Sequence, residues 1–121
     1  MTLACLCGLG CIDRHSALIR LKHELKNVRT AEPINTPTMR ESEIPARAVI
    51  GLTKVEIHQS LGKEEDCGGW WWMDPRATNA RSCECYRFYR LPKNWTGGGP
   101  TLFIYYDKQD RSMDAAWMVE E

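Results

Sequence analysis

The sequence predicts an α+β fold, in which a short helix, or two, packs on an antiparallel sheet of three to four strands. Two observations predict it. Residues 54–61 form a short segment with apolar residues on one side and helix-capping signals at both ends. Several runs rich in aromatic and β-branched residues follow, and the last two are separated only by the polar turn DKQDR. An N-terminal amphipathic helix and a linker precede this unit.

Length and charge restrict the classes of protein that fit the chain. At 121 residues it is one domain at most. Its formal net charge is zero, whereas proteins that bind nucleic acids usually show a basic footprint. No run approaches the roughly 20 apolar residues of a membrane-spanning helix. We therefore expect neither a nucleic-acid partner nor a spanning segment.

The first eleven residues, MTLACLCGLGC, resemble an export signal. They are apolar, uncharged and rich in small residues, although the basic start of a secretory signal is missing. The ending GLGC is similar to the lipobox of bacterial lipoproteins, so Cys11 is the expected lipidation site. TLAC, ending at Cys5, is a weaker second candidate. A plain apolar segment or a metal-binding cysteine cluster is the alternative. Lipidation predicts a periplasmic protein anchored to the outer membrane.

Residues 13–30 are predicted to form an amphipathic helix. Leu18, Leu21, Leu25 and Val28 recur at helical spacing, and the charged residues between them are mostly basic. Such a helix after a lipid anchor would lie on an anionic membrane surface. Alternatively, it docks on the domain and turns its charged face to solvent.

Prolines divide this helix from the rest of the chain. Residues 30–45 contain Pro33, Pro37 and Pro45 among polar residues, which is typical of a linker. The predicted organisation is a signal-like segment at 1–11, the amphipathic helix and linker at 12–45, and the α+β domain at 46–121.

The short helix at 54–61 is delimited by its end residues. Thr53 and Glu56 form the T-x-x-E pattern of a capping box. Gly62 is the expected residue beyond the C-terminus, because it adopts positive φ at little cost. His58 is expected to be a surface or half-buried residue of this helix.

Four segments are predicted strands. They are WWWMD at 70–74, SCECYRFYRLP at 82–92, TLFIYYD at 101–107 and SMDAAWMVE at 112–120. The loop PKNWTGGGP lacks the ending of a phosphate-binding loop. Its glycines are expected to let the chain pass close to a bulky side chain, with Trp95 as the candidate.

Aromatic residues are expected on both faces of the sheet, because strand side chains alternate. A helix of about eight residues covers only one face. We expect the second face to be partly open and to bind a protein partner through Trp71 and Tyr89, with Arg87 and Trp95 contributing. The alternative is that the N-terminal helix folds back and covers this face.

The order of these motifs resembles the BamE/SmpA/OmlA group of small bacterial envelope lipoproteins. Gly51-Leu52-Thr53, a helix ending Leu61-Gly62 and a closing hairpin with Asp107 follow that group's pattern. The resemblance covers about residues 49–119. The group usually has proline soon after Leu-Gly, whereas Lys-Glu-Glu-Asp follows here.

The resemblance implies a fold and a class of function. It implies a non-catalytic envelope lipoprotein that acts as a protein–protein interaction or scaffold module in outer-membrane maintenance. The β-lactamase-inhibitor repeat is built on a similar helix–sheet unit. An inhibitor or immunity-type protein that binds an enzyme or toxin in the periplasm is therefore the alternative.

Three cysteines of the domain are expected to form one disulfide. Cys83 and Cys85 lie two apart on a predicted strand, which disfavours a bond between them. Cys67 precedes them and can pair with either. Closing that loop would contribute about 3 kcal/mol in the chain-entropy model. Metal binding is the alternative, but the paired C-x₂-C spacing of common zinc sites is missing.

Motifs of catalysis are missing from the sequence. It has neither a G-x-S-x-G elbow nor a cysteine signature beside a histidine. We therefore expect a protein that is not an enzyme and uses no metal, cofactor or small-molecule substrate. Its expected partners are an envelope protein and, through the lipid anchor, a membrane.

Overall fold

The structure, a computed structural model, describes residues 13–31, 38–39 and 42–119. The predictions for the signal-like segment, for Cys11 and for half of the linker lie outside these residues. Within the described ranges, no helix is long and apolar enough to cross a membrane.

The architecture is α+β, as the sequence predicts. The elements in chain order are α1 (Arg14–Thr30), β1 (Thr38–Met39), α2 (Lys54–Leu61), β2 (Ser82–Arg87), β3 (Tyr89–Arg90), β4 (Pro100–Tyr106) and β5 (Ser112–Val119). Three short 3₁₀ turns lie at Ala46–Val49, Trp71–Met73 and Pro75–Ala77. Both predicted helices are therefore present.

The main sheet has three antiparallel strands in the order β2-β4-β5. Across it, Cys85 lies opposite Phe103, which lies opposite Ala116. A separate pair joins β1 to β3, with Thr38 opposite Arg90. The last three predicted strand segments are thus confirmed, although the first of them divides into β2 and β3.

The tryptophan run is not a strand, and this prediction is wrong. Trp71–Met73 forms a 3₁₀ turn closed by a hydrogen bond from the Met73 amide to the Trp70 carbonyl. The next turn begins at Pro75, and the Asp74 side chain caps it by accepting from the Arg76 amide at 2.8 Å. Proline donates no ladder hydrogen bond, and Asp-Pro favours turns. These local bonds replace pairing with a sheet.

Both helices cover the same face of the sheet. The buried side chains there come from the alternating core positions of β2 and β4 and from one stripe of each helix. They include Leu18, Leu21, Leu25, Ile57, Leu61, Tyr86, Leu102, Ile104 and Tyr106. Of the two expectations for α1, the structure shows the second, in which the helix docks on the domain. Its apolar stripe is buried in the core.

The ends of α2 are as the sequence predicts. The Glu56 amide donates to Thr53 Oγ1 at 3.1 Å, and the Thr53 amide donates to Glu56 Oε1 at 3.0 Å. This backbone hydrogen bond from Thr53 lowers the pKa of Glu56 below its usual value. Gly62 has φ +81°, a conformation that side chains with a Cβ rarely adopt.

The second face of the sheet is covered by the chain between α2 and β2. Cys85, Phe103 and Tyr105 are buried there, with Ala77 and the half-buried Trp71 packed over them. The expectation that this face is partly open is wrong for the centre of the face, which is buried. The alternative of a cover by α1 is wrong as well, because α1 lies on the other face.

The glycine loop does pass close to a bulky side chain. A Cβ placed on Gly99 would lie 2.8 Å from Cβ and Cγ of Tyr89. The close neighbour is therefore Tyr89 and not Trp95, which is 49% exposed.

Candidate functional site

A groove with a volume of about 390 Å³ opens along the outer edge of β2. It is lined by residues 63–68, Trp71 and residues 82–84. The groove thus brings together acidic side chains, two thiols and one tryptophan. We regard it, with the adjoining turn that carries the tryptophans, as the candidate functional site.

The near wall of the groove is held against β2 like a short added strand. The Glu65 amide donates to the Cys85 carbonyl at 2.8 Å, and the Arg87 amide donates to Glu65 Oε2 at 2.6 Å. The Arg87 guanidinium also donates to the Asp66 carbonyl at 2.9 Å. Arg87, a predicted partner-binding residue, therefore has a structural role in fixing this wall.

Cys67 and Cys83 both line the groove, and their side chains are in contact. Their sulfur atoms are 3.3 Å apart, and both residues are thiols in this structure. A disulfide bond is about 2.05 Å long, so a small movement would join them. The hydrogen bond to Cys83, together with burial, raises the pKa of the Cys67 thiol. Cys85 instead directs its sulfur to the Glu65 carbonyl at 3.5 Å. The disulfide stays a prediction, and the contact between Cys67 and Cys83 is compatible with that pairing.

His58 contacts two of the glutamates that line the groove, Glu64 and Glu84. His58 Nε2 lies 2.7 Å from Glu84 Oε1 and 3.3 Å from Glu64 Oε2. Glu84 is 8% exposed on β2, while His58 comes from α2. Sequence reasoning missed this cluster. The sequence feature that could have indicated it is Glu84, which shares a strand face with Tyr86. A carboxylate on a buried face needs a partner.

Two tyrosine hydroxyls lie beneath α2. Tyr86 Oη donates to the Gly62 carbonyl at 3.0 Å. Tyr106 is completely buried, and its hydroxyl makes no hydrogen bond within the described part of the chain. Burial, followed by the negative charge of Glu84, raises the pKa of Tyr106 well above its usual range. The hydroxyl is therefore a proton donor that stays protonated beside the carboxylates.

The turn at residues 70–73 exposes large apolar side chains. Trp70, Trp72 and Met73 are 74%, 60% and 61% exposed, and the two indole centroids are 6.3 Å apart. Trp71, the predicted anchor, points the other way and is half-buried on the second face. Sequence reasoning missed Trp70 and Trp72 because it assigned this run to a sheet.

The other predicted binding residues lie elsewhere. Tyr89 is half-buried on β3 against Gly99, and Trp95 is exposed in the loop before β4. Of the four predicted partner-binding residues, only Trp71 is among the described residues that line the groove.

Comparisons of the chain with protein-family models, with curated proteins and with solved structures give no match. The resemblance to the BamE/SmpA/OmlA group therefore rests on the sequence pattern of residues 49–119. The class of function has to be argued from the groove and the exposed turn.

Proposed function

We propose that the protein is a non-catalytic envelope lipoprotein that acts as a protein–protein interaction or scaffold module in outer-membrane maintenance. The observation that carries the interaction role is the adjacent exposure of Trp70, Trp72 and Met73. The envelope location rests on the lipobox-like ending at Cys11 and on the family resemblance.

Exposed tryptophans favour binding to a protein. A single exposed apolar residue is ordinary, whereas several large ones together are typical of an interaction surface. Tryptophan is also enriched among the residues that dominate binding free energy. The turn at 70–73 has these features.

The turn is also held in place before any partner binds. Trp71 packs against the buried second face, and the Asp74 cap fixes the chain that follows. Trp70 and Trp72 are therefore presented on an ordered backbone. Presentation of this kind lowers the ordering cost of association.

The charges beside the turn favour a basic partner surface. The groove is lined by Glu64, Glu65, Asp66 and Glu84, with Lys63 and the Arg87 guanidinium beside Asp66 as the opposing charges. Acidic groups at the rim of an interface increase association with a basic partner and select against an acidic one. We expect the partner to present an apolar pocket bordered by lysine or arginine.

The alternative is an inhibitor or immunity-type protein that binds a periplasmic enzyme or toxin. The same exposed pair, Trp70 and Trp72, favours it, because aromatic side chains fill the concave sites of enzymes well. Loss of a captured partner's catalytic activity upon binding would distinguish this role from that of a scaffold.

The test is quantitative capture from a cross-linked envelope fraction. The variant with Trp70→Ala and Trp72→Ala should lose at least about tenfold in capture of the partner taken by the wild type, as expected for hot-spot residues. Val55→Ala is the matched control, because Val55 is 63% exposed on α2. Equal capture by both variants would contradict the proposal. A soluble protein without lipid label would contradict the lipoprotein part separately.

A further inference from the structure

The groups around His58 have the spacing of metal ligands. One ligand atom each from His58, Glu64 and Glu84 lies within 4.8 Å of the others. Donors about 2.1 Å from a tetrahedral metal are about 3.4 Å apart. The separation of 3.3 Å between His58 and Glu64 already fits this geometry. The separation of 2.7 Å between His58 and Glu84 has to widen by roughly 0.7 Å, and the two carboxylate oxygens, which lie within 4.8 Å of each other, have to take up the same spacing.

We propose that His58, Glu64 and Glu84 bind one divalent metal ion of the Zn²⁺, Co²⁺ or Mn²⁺ class. This site goes beyond the proposed interaction function and does not depend on it. No motif in the sequence indicates it, because the ligands come from α2, from the segment after it and from β2.

The three ligands are positioned by the fold. Glu84 lies within the β2–β4 ladder opposite Ile104. His58 is on the last turn of α2, and Glu64 lies between Gly62 and the hydrogen bond that joins Glu65 to β2. Ligands that are ordered in advance lower the cost of binding an ion.

The buried Tyr106 hydroxyl is a second, independent observation that points to this site. It has no partner at normal hydrogen-bond distance among the described residues, yet after burial the Glu84 carboxylate is the group that most raises the pKa of the hydroxyl, in part by accepting from it. A carboxylate that turns one oxygen to a metal can accept from this hydroxyl with the other. Metal-bound carboxylates are usually hydrogen-bonded in this way.

The ligand types select the class of ion. Imidazole suits zinc, copper, iron and nickel, whereas carboxylates suit manganese and other hard ions. A set of one imidazole and two carboxylates favours an ion of intermediate softness. Glu64 and Glu84 line the open groove, so water can supply the remaining ligands. The competing interpretation is an ion pair between His58 and Glu84 that needs no metal.

The test is a titration of the full chain with Co²⁺ after chelator treatment, followed by absorption spectroscopy. We expect the protein to bind one equivalent of Co²⁺. The complex should show visible d–d absorption bands that nitrogen and oxygen ligands alone can produce. His58→Gln and Glu64→Gln should each weaken this binding by at least about 100-fold, since loss of an outer partner alone costs 10–100-fold. His23→Gln is the matched control, because His23 is exposed on α1.

The outcomes separate the two interpretations. Absence of Co²⁺ binding, binding seen only as sulfur-to-cobalt charge transfer, or equal affinity in all three variants would overturn the proposal. Circular dichroism and the urea midpoint check that each variant is folded. Glu64 is half-exposed, so Glu64→Gln should keep the fold even where His58→Gln weakens it. None of these outcomes depends on capture of a protein partner.

Discussion

At the scale of single residues, the contact between Gly99 and Tyr89 fixes how the glycine loop meets the sheet. Gly99 is buried, and a Cβ there would lie 2.8 Å from the stem of the tyrosine ring. The first side-chain atoms of a residue move only with its backbone. The backbone would therefore have to shift to admit any larger residue.

We predict that Gly99→Ala lowers the free energy of unfolding by about 1–3 kcal/mol, the usual cost of overpacking. Urea denaturation of wild type and variant measures this change. Gly69→Ala is the control, because a Cβ at Gly69 meets nothing within 4 Å and its change should stay within about 0.5 kcal/mol. Similar effects of the two substitutions would contradict the contact.

Single residues also show where sequence reasoning ends. Alternation along the strand predicts that Glu84 shares the face of Tyr86, and the structure confirms it. The same pattern cannot identify His58 as the partner, because 26 residues separate the two and only the packing of α2 on β2 brings them together. The local positions of His58 and Glu84 were predictable, but the cluster that they form with Glu64 was not.

At the scale of elements, α2 depends on a carboxylate at its N-terminus. The folded-state pKa of Glu56 is lowered, mainly by the backbone hydrogen bond from Thr53. The carboxylate therefore contributes stability above its unfolded pKa of about 4.3. This contribution is lost as the pH falls through the folded-state pKa.

We predict that Glu56→Gln destabilises the protein by about 0.3–1 kcal/mol at neutral pH, because glutamine can keep the capping-box hydrogen bond but loses the negative charge at the helix N-terminus. The difference from wild type should shrink as the pH falls below about 4, because the wild-type side chain is then protonated too. Urea midpoints across this pH range measure it. Glu43→Gln is the control, since the Glu43 side chain is 90% exposed. A difference that did not change with pH would contradict the argument.

The two 3₁₀ turns after Cys67 were not predicted, for a local reason. The tryptophan run has the composition of a strand, and that composition decided the assignment. Asp74 and Pro75 follow the run directly. The Asp74 side chain caps the next 3₁₀ turn, and Pro75 has no amide hydrogen to donate to a neighbouring strand. The turn residues next to the run, rather than the run itself, determine its structure.

At the scale of the whole molecule, α1 and α2 form a single layer over one face of the sheet. Leu18, Leu21 and Leu25 belong to the same buried cluster as Ile57 and Tyr86. The fold class and the helix at 14–30 were predictable from periodicity. Which face α1 covers was not predictable, because both faces carry aromatic residues.

We predict that Leu21→Ala lowers the free energy of unfolding by about 2–5 kcal/mol, since Leu21 is 1% exposed in the core. Thermal and urea unfolding of the full chain measure the loss. Ile19→Ala is the control on the same helix, because Ile19 is 55% exposed and its change should stay within about 0.5 kcal/mol. Unchanged stability of Leu21→Ala would mean that α1 is not part of the core.

The placement of α1 has a consequence for the order in which the chain is completed. The helix is synthesised before the strands that share its buried cluster, the last of which is Ser112–Val119. The β4–β5 hairpin is local and can form quickly, but α1 must wait for it. The core therefore cannot close before β5 has been synthesised. Without β5, the buried cluster that joins the α1 stripe to the sheet would lack Ala115, so the layer of helices would have an incomplete base.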